Sequence, residues 1–248
     1  IENYELIKKK FDIFYEHHLF HAYCGFYNSG FDDAVTVVVD GMGNSVIDNT
    51  GSFNEDTNEV ASIFDASYPK NMNYLGGMAT HSTHSPWESQ NTNHDGNWTC
   101  GIGMAYSAVS AYMGFGQLGS GKLMGLAPYG KEDPNIRPFL LDNGFHVNSS
   151  LFYRTINGCN FFPYDYLPRC GDGESFDIEN NFEKLANLAW RIQEDFQKHM
   201  LKILLDALKM TGRKNIILTG GCALNCAANY WYLDKLPKDV KLYVEPIS

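Results

Sequence analysis

No apolar run in this sequence approaches the ~18 residues needed to cross a bilayer, so nothing points to a membrane partner. Positive charge is scarce as well. Lys and Arg number 19 against 29 Asp and Glu, a formal charge of -10. A chain this acidic lacks the electrostatic footprint of a nucleic-acid binder. Its one basic run, Lys8-Lys9-Lys10, reads as a solvated helix face. The cysteines at 24, 100, 159, 170, 222 and 226 form no Cys-x-x-Cys pair, which excludes a zinc ribbon and a thioredoxin motif. Their spacing over this length does not suit a disulfide framework, and a reducing cytoplasm is the expected location. The glycosylation sequons at Asn97 and Asn148 read as chance matches. Apolar residues reach 44% and charged residues only 19%, so a packed core is expected rather than disorder. The chain opens on Ile1 and ends on Val244-Glu245-Pro246-Ile247-Ser248, a strand running into a loop, and both ends read as cut.

Periodicity supplies the elements. Residues 4–27 read as a helix, with turn chemistry at Asn28-Ser29-Gly30. The run from Ala34 to Asp40 is β-branched and almost continuously apolar, as in a strand covered on both faces. Ser45–Asp48 and Val60–Phe64 continue a meander. Residues 66–100 read as a polar insertion, and 116–179 as irregular structure. Met104–Met113 is a small apolar helix. Asn181–Met210 is the strongest helix, with Phe182, Leu185, Leu188, Ile192, Phe196, Ile203 and Ala207 in one stripe. Asn180 or Asn181 caps it and Gly212 closes it. Lys184, Arg191, Glu194, Asp195, Lys198 and Lys202 fall largely off the stripe. Asn215–Thr219 is a buried strand, Leu224–Leu233 a helix and Lys241–Val244 a last strand. This order suits an α/β layer architecture.

Four constellations can carry chemistry. In His17-His18-Leu19-Phe20-His21 the first and third histidines share one helical face, a spacing that chelates a transition metal. His18 points about 100° away and is read as a packing or supporting residue. The zincin order needs Glu directly after the first His, so a zincin protease is rejected. Asp40 closes its strand and is followed by Gly41-Met42-Gly43. It therefore faces the crevice at a strand's carboxyl end, beside glycines that admit a phosphate; an ordinary Asp-Gly hairpin is the plainer alternative. Thr219-Gly220-Gly221-Cys222-Ala223-Leu224-Asn225 is a strand, a glycine pair and a helix start, the layout of a nucleotide crevice. Cys222 and Cys226 are read as small residues packing there rather than as metal ligands. Gly121 to Gly130 reads as a rigid loop in which Lys122 can meet a phosphate, though the Walker order is absent.

Taken together and in order, His17-His18-Leu19-Phe20-His21-Ala22, Val37-Val38-Val39-Asp40-Gly41, Gly121 to Gly130 and Thr219 to Asn225 resemble the O-carbamoyltransferases that tailor nodulation factors and antibiotics. The resemblance runs from about residue 15 to 248 and is weakest over 66–100 and 131–180. It implies an α/β ASKHA fold, the class of actin, Hsp70 and sugar kinases. Residues 1–33 would be a helical remnant of the first lobe, and 34–248 the second lobe without its C-terminal end. It implies a divalent metal, iron by preference, on His17, His21 and Asp40. It implies nucleotide binding by Gly41, Gly43, Lys122, Gly125, Gly220, Gly221 and Asn225. The activity implied is transfer of a carbamoyl group from carbamoyl adenylate, made from carbamoyl phosphate and ATP, to the hydroxyl of a small molecule. The domain that activates carbamoyl phosphate has no counterpart here, and no catalytic base is identified. A tRNA threonylcarbamoyl-transferase-like enzyme and a non-catalytic nucleotide-binding scaffold are the alternatives.

Overall fold

The structure is a computed structural model that describes residues 17–47, 53–79, 100–141, 144, 147–155, 158–161 and 178–247. Helix α1 (His17–Ser29) leads into strand β1 (Asp33–Val39), followed by β2 (Ser45–Ile47), β3 (Phe53–Ser67) and β4 (Asn71–Ala79). Helices α2 (Ile102–Tyr112) and α3 (Ser120–Leu126) precede a small hairpin, β5 (Phe152–Thr155) and β6 (Gly158–Phe161). The long helix α4 (Ile178–Thr211), β7 (Asn215–Thr219), α5 (Cys226–Leu233) and β8 (Lys241–Val244) complete the order. Six strands form one mixed sheet, ordered β2-β3-β1-β7-β8 with β4 on β3. β1 runs antiparallel to β3 and parallel to β7, and β7 runs parallel to β8.

The side-chain period of two explains why β1 reads as apolar throughout. Val35, Val37 and Val39 face a core shared with α2 and α4. Ala34 and Val38 face the other way, where Phe26 and Ala22 of α1 meet them. β7 divides likewise: Ile216 and Leu218 on one side, Ile217 on the other. The result is three layers, with α1 on one face of the sheet and α2 and α4 on the other. Each valine buried in full contributes about 1.5–3 kcal/mol relative to exposure. Arg213 ties the far end of the sheet, donating to Asp65 at 2.7 Å and lying 3.4 Å from Asp33. No helix among the described residues is long and apolar enough to cross a membrane.

Several expectations change. Residues 71–79, expected within a polar insertion, form β4. A bulge breaks its alternation: Ile63 pairs with Gly76 but Phe64 with Tyr74, leaving Leu75 over. Met72 therefore packs toward α1 and Met78 toward α2 and α4, despite their even spacing. The stretch expected as a loop from Gly121 is instead helix α3 and a 3-10 turn, Ala127–Tyr129, pinned by the buried Leu123. α4 begins at Ile178, so Asn180 and Asn181 lie inside it. Gly212 closes it at φ +67, bonding Leu208 O at 2.8 Å. Phe182 is exposed and meets Tyr129 edge-on, while Asp195 is buried and accepts from Arg191 and the Phe139 N–H. The helix expected over 4–27 is described from residue 17 only and runs on through Ser29; Lys8-Lys9-Lys10 lie outside the described residues.

Candidate functional site

α1 carries two faces. His18, Ala22, Gly25 and Phe26 form the buried stripe that packs on the sheet. His17 and His21 occupy the neighbouring face and lean over the carboxyl end of β1, where Asp40 stands. His17 Nε2 donates to Asp40 Oδ2 at 2.8 Å, His21 Nε2 lies 3.5 Å from the same oxygen, and the two Nε2 atoms are 3.1 Å apart. The second carboxylate oxygen is fixed from behind. Asp40 Oδ1 accepts from the Gly41 N–H at 2.7 Å and the Gly221 N–H at 3.3 Å. One oxygen is thus held by backbone and the other presented to two imidazoles. Burial opposes charge on Asp40, but the hydrogen bonds from His21, His17 and the Gly41 N–H outweigh it and hold the carboxyl well below the usual carboxylate range.

This donor set fits a divalent cation. Octahedral or tetrahedral sites with bonds of about 2.1 Å place neighbouring ligand atoms roughly 3.0–3.4 Å apart. The three separations above bracket that range. Two imidazoles and one carboxylate are also the nitrogen and oxygen ligands that suit iron or zinc. Among the described residues this trio is the cluster able to hold a metal.

Asp40 also lines a cavity of about 440 Å³. The β1 turn supplies Gly41, α2 supplies Gly103 and Tyr106, and the turn after β7 supplies Gly221, Cys222 and Asn225. These elements meet because glycines let them. Gly220 sits at φ +90, and a Cβ there would fall 2.4 Å from Val39 O. A Cβ on Gly103 would lie 2.8 Å from Cys222 Sγ and 3.0 Å from Asp40 O. Below them Tyr106 OH donates to Gln193 Oε1 at 2.7 Å, and Gln193 and Asn225 exchange amide hydrogen bonds at 3.1 and 2.9 Å. Asn225 Oδ1 also accepts the Ala228 N–H and so caps α5. Burial drives the Cys222 thiol and the Tyr106 phenol upward, so both stay protonated.

A family model described as "Carbamoyltransferase N-terminus" matches residues 3–248. The chain belongs to the carbamoyltransferase N-terminus family. It is 28% identical over 228 residues to an uncharacterized protein of Synechocystis sp., a match covering 88% of this chain and 31% of that protein. It is 28% identical over 229 residues to the nodulation protein NolNO of Sinorhizobium fredii, covering 87% of this chain and 26% of NolNO. The chain thus spans less than a third of either curated relative. A solved structure of full-length HypF in its phosphate- and nucleotide-bound form superposes with a TM-score of 0.48 at 13% identity, over 95% of this chain and 40% of HypF.

In this carbamoyltransferase-family chain, His17 and His21 meet Asp40, and Asp40, Gly41, Gly221 and Asn225 line one cavity. Gly220 lies directly behind them. Gly43 is placed elsewhere: its N–H donates to Glu59 O at 2.7 Å, and its Cα side abuts His18. Lys122 and Gly125 are exposed and do not line the cavity, although Gly121 and Met124 of the same helix do. Cys222 and Cys226 diverge, the first buried at the cavity and the second exposed beside Met124. Gly103, Tyr106 and Gln193 were not singled out by motif. Gly101 and Gly103 opening an apolar helix hinted at close approach. Gln193, one of several buried amides on α4 with Asn187 and Gln197, gave no signal without knowing what faces it.

Proposed function

We propose that this chain is the carbamoyl-transferring part of an O-carbamoyltransferase with an ASKHA-type fold, chiefly its second lobe. The reaction joins the hydroxyl oxygen of a small molecule to the carbamoyl carbon of carbamoyl adenylate. The bond from that carbon to the phosphate oxygen breaks, AMP leaves, and the hydroxyl proton passes to a base. The adenylate derives from carbamoyl phosphate and ATP in a part of the protein beyond this chain. One observation carries the reading: His17, His21 and Asp40 converge at the edge of a glycine-walled cavity of about 440 Å³. That volume falls within the roughly 300–1,000 Å³ of small-molecule sites.

His17, His21 and Asp40 would hold a divalent cation, iron by the family resemblance. When bound, it supplies positive charge to phosphate oxygens. The chain's own residues do the rest. The N–H groups of Gly41 and Gly221 keep Asp40 Oδ2 turned toward the histidines. Gly41 and Gly221 leave a wall without side chains against which a nucleotide phosphate can lie. Asn225 lines the cavity, its amide held in place by the paired hydrogen bonds with Gln193. Tyr106 and Cys222 contribute a protonated, largely apolar floor.

Metal analysis after purification, beside calorimetric titration with ATP and ADP in the presence and absence of iron, tests this directly. Wild type is expected to retain one divalent ion per chain and His17→Ala to lose it. Equal metal content in the two proteins, or no nucleotide binding under any condition, would overturn the reading. Binding of tRNA at physiological salt would move the assignment to threonylcarbamoyl transfer.

A further inference from the structure

The histidine that the metal motif passes over is the one most firmly built into the fold. His18 is 1% exposed. Its Nδ1 is hydrogen-bonded to Ser62 Oγ at 2.7 Å, and Ser62 on β3 is itself 1% exposed. The far edge of the ring rests against Gly43. A Cβ at that position would fall 2.8 Å from His18 Nε2, 2.9 Å from Cδ2 and 3.1 Å from Glu59 Cβ. The Gly43 N–H bonds Glu59 O at 2.7 Å, which fixes this seat to the same strand that carries Ser62. The imidazole therefore lies in a slot with a directional bond at one end and a side-chain-free backbone at the other.

We infer that His18, clamped between Ser62 and Gly43, is the positioning residue that sets the roll of α1 and so aims His17 and His21 at Asp40. Ala22 and Phe26 hold the same stripe by apolar contact, which is non-directional. The bonds from Tyr27 to Pro69 O at 2.7 Å and from Asn28 to Glu245 Oε2 at 3.1 Å anchor α1 at its other end, leaving His18 to fix the roll of the turn that carries His17 and His21. The bond to Ser62 is directional. A roll of roughly 10° about a helix with a radius of about 5–6 Å displaces a side-chain tip by about 1 Å. Metal sites tolerate about 0.2 Å in bond length, so the slot's precision matters. This assignment gives Gly43 a role in seating His18 rather than in binding a nucleotide. It rests on the metal reading above.

The test uses cobalt(II) as probe on the 248-residue chain, followed by titration and by its visible ligand-field spectrum. The variants are Ser62→Ala, which removes the bond, Gly43→Ala, which pushes the ring, and His17→Ala as reference. Unfolding midpoints in chelator report the apo fold. Ser62→Ala and Gly43→Ala are expected to weaken cobalt binding about 10- to 100-fold, as loss of a supporting partner does. Their spectra shift, and the apo midpoint of Ser62→Ala falls modestly because a buried imidazole nitrogen loses its partner, while the cooperative unfolding transition is kept. Wild-type affinity and spectrum in both, with binding lost in His17→Ala, would overturn the positioning role and leave the metal site standing. Unchanged binding in His17→Ala too would remove the site and the inference with it.

Discussion

Two glycine turns close neighbouring strands at the same end of the sheet, and they owe their glycines to different physics. β1 and β7 run parallel with Val38 opposite Thr219, so Gly41 and Gly220-Gly221 emerge side by side. After β7 the fold itself demands the first glycine, and a carboxylate crowds the second. Gly220 has φ +90 and no space for a Cβ against Val39, and Gly221 lies where a Cβ would meet Asp40 Oδ1 at 2.8 Å. After β1 the first glycine has open space around it, with nothing within 4 Å of a built Cβ. The second is shaped by a histidine from another layer. A glycine pair in sequence thus says only that side chains are unwelcome. Whether backbone, a neighbouring side chain or an open cavity forbids them is a question of packing.

The sharpest way to break this comparison is Gly220→Ala. A backbone at φ +90 and ψ +163 is all but closed to residues with a Cβ and costs an alanine roughly 1–3 kcal/mol, and the clash with Val39 adds about 1–3 kcal/mol as overpacking. Urea unfolding should show a loss of about 3 kcal/mol or more, and a loss below about 1 kcal/mol would mean that the turn relaxes freely. Gly221→Ala should be milder. Its backbone is outside the left-handed region, and the atom in the way is the tip of a side chain. A stability change of about 1 kcal/mol or less is expected, with cobalt affinity reduced roughly tenfold because Asp40 is turned from the histidines. If the metal affinity held while stability fell, Gly221 would be a fold residue like its neighbour.

The legible parts of the fold were those where one interaction dominates. β1 and β7 announced burial on both faces, and the stripe of α4 marked its inward side. Helical spacing joins His17 to His21 and a strand end places Asp40 at a crevice, but that the three share one site was implied by the family resemblance rather than by spacing. What stayed hidden depended on partners far along the chain. β4 was masked by the bulge at Leu75, which reverses its faces midway. Asp195 looked like a solvent-facing charge because its acceptor role needs Arg191 and the distant Phe139 N–H. Gly43 looked like part of a phosphate turn because nothing in Gly41-Met42-Gly43 reveals that His18 lies beneath it.

Gly41→Ala isolates the cavity from the fold, and its effect on stability should be the smallest of the three. The added methyl meets no atom of the chain, so unfolding free energy should stay within about 0.5 kcal/mol of wild type. Gly41 nevertheless lines the cavity beside Asp40. A methyl there stands between the wall and any phosphate drawn to it. A clash of about 1–2 kcal/mol corresponds to a loss of roughly 5- to 30-fold in nucleotide affinity. Calorimetry with ATP separates the two readings of this turn. Weakened binding at unchanged stability identifies Gly41 as ligand wall, and unchanged binding would return Asp40-Gly41 to an ordinary hairpin beside the two histidines.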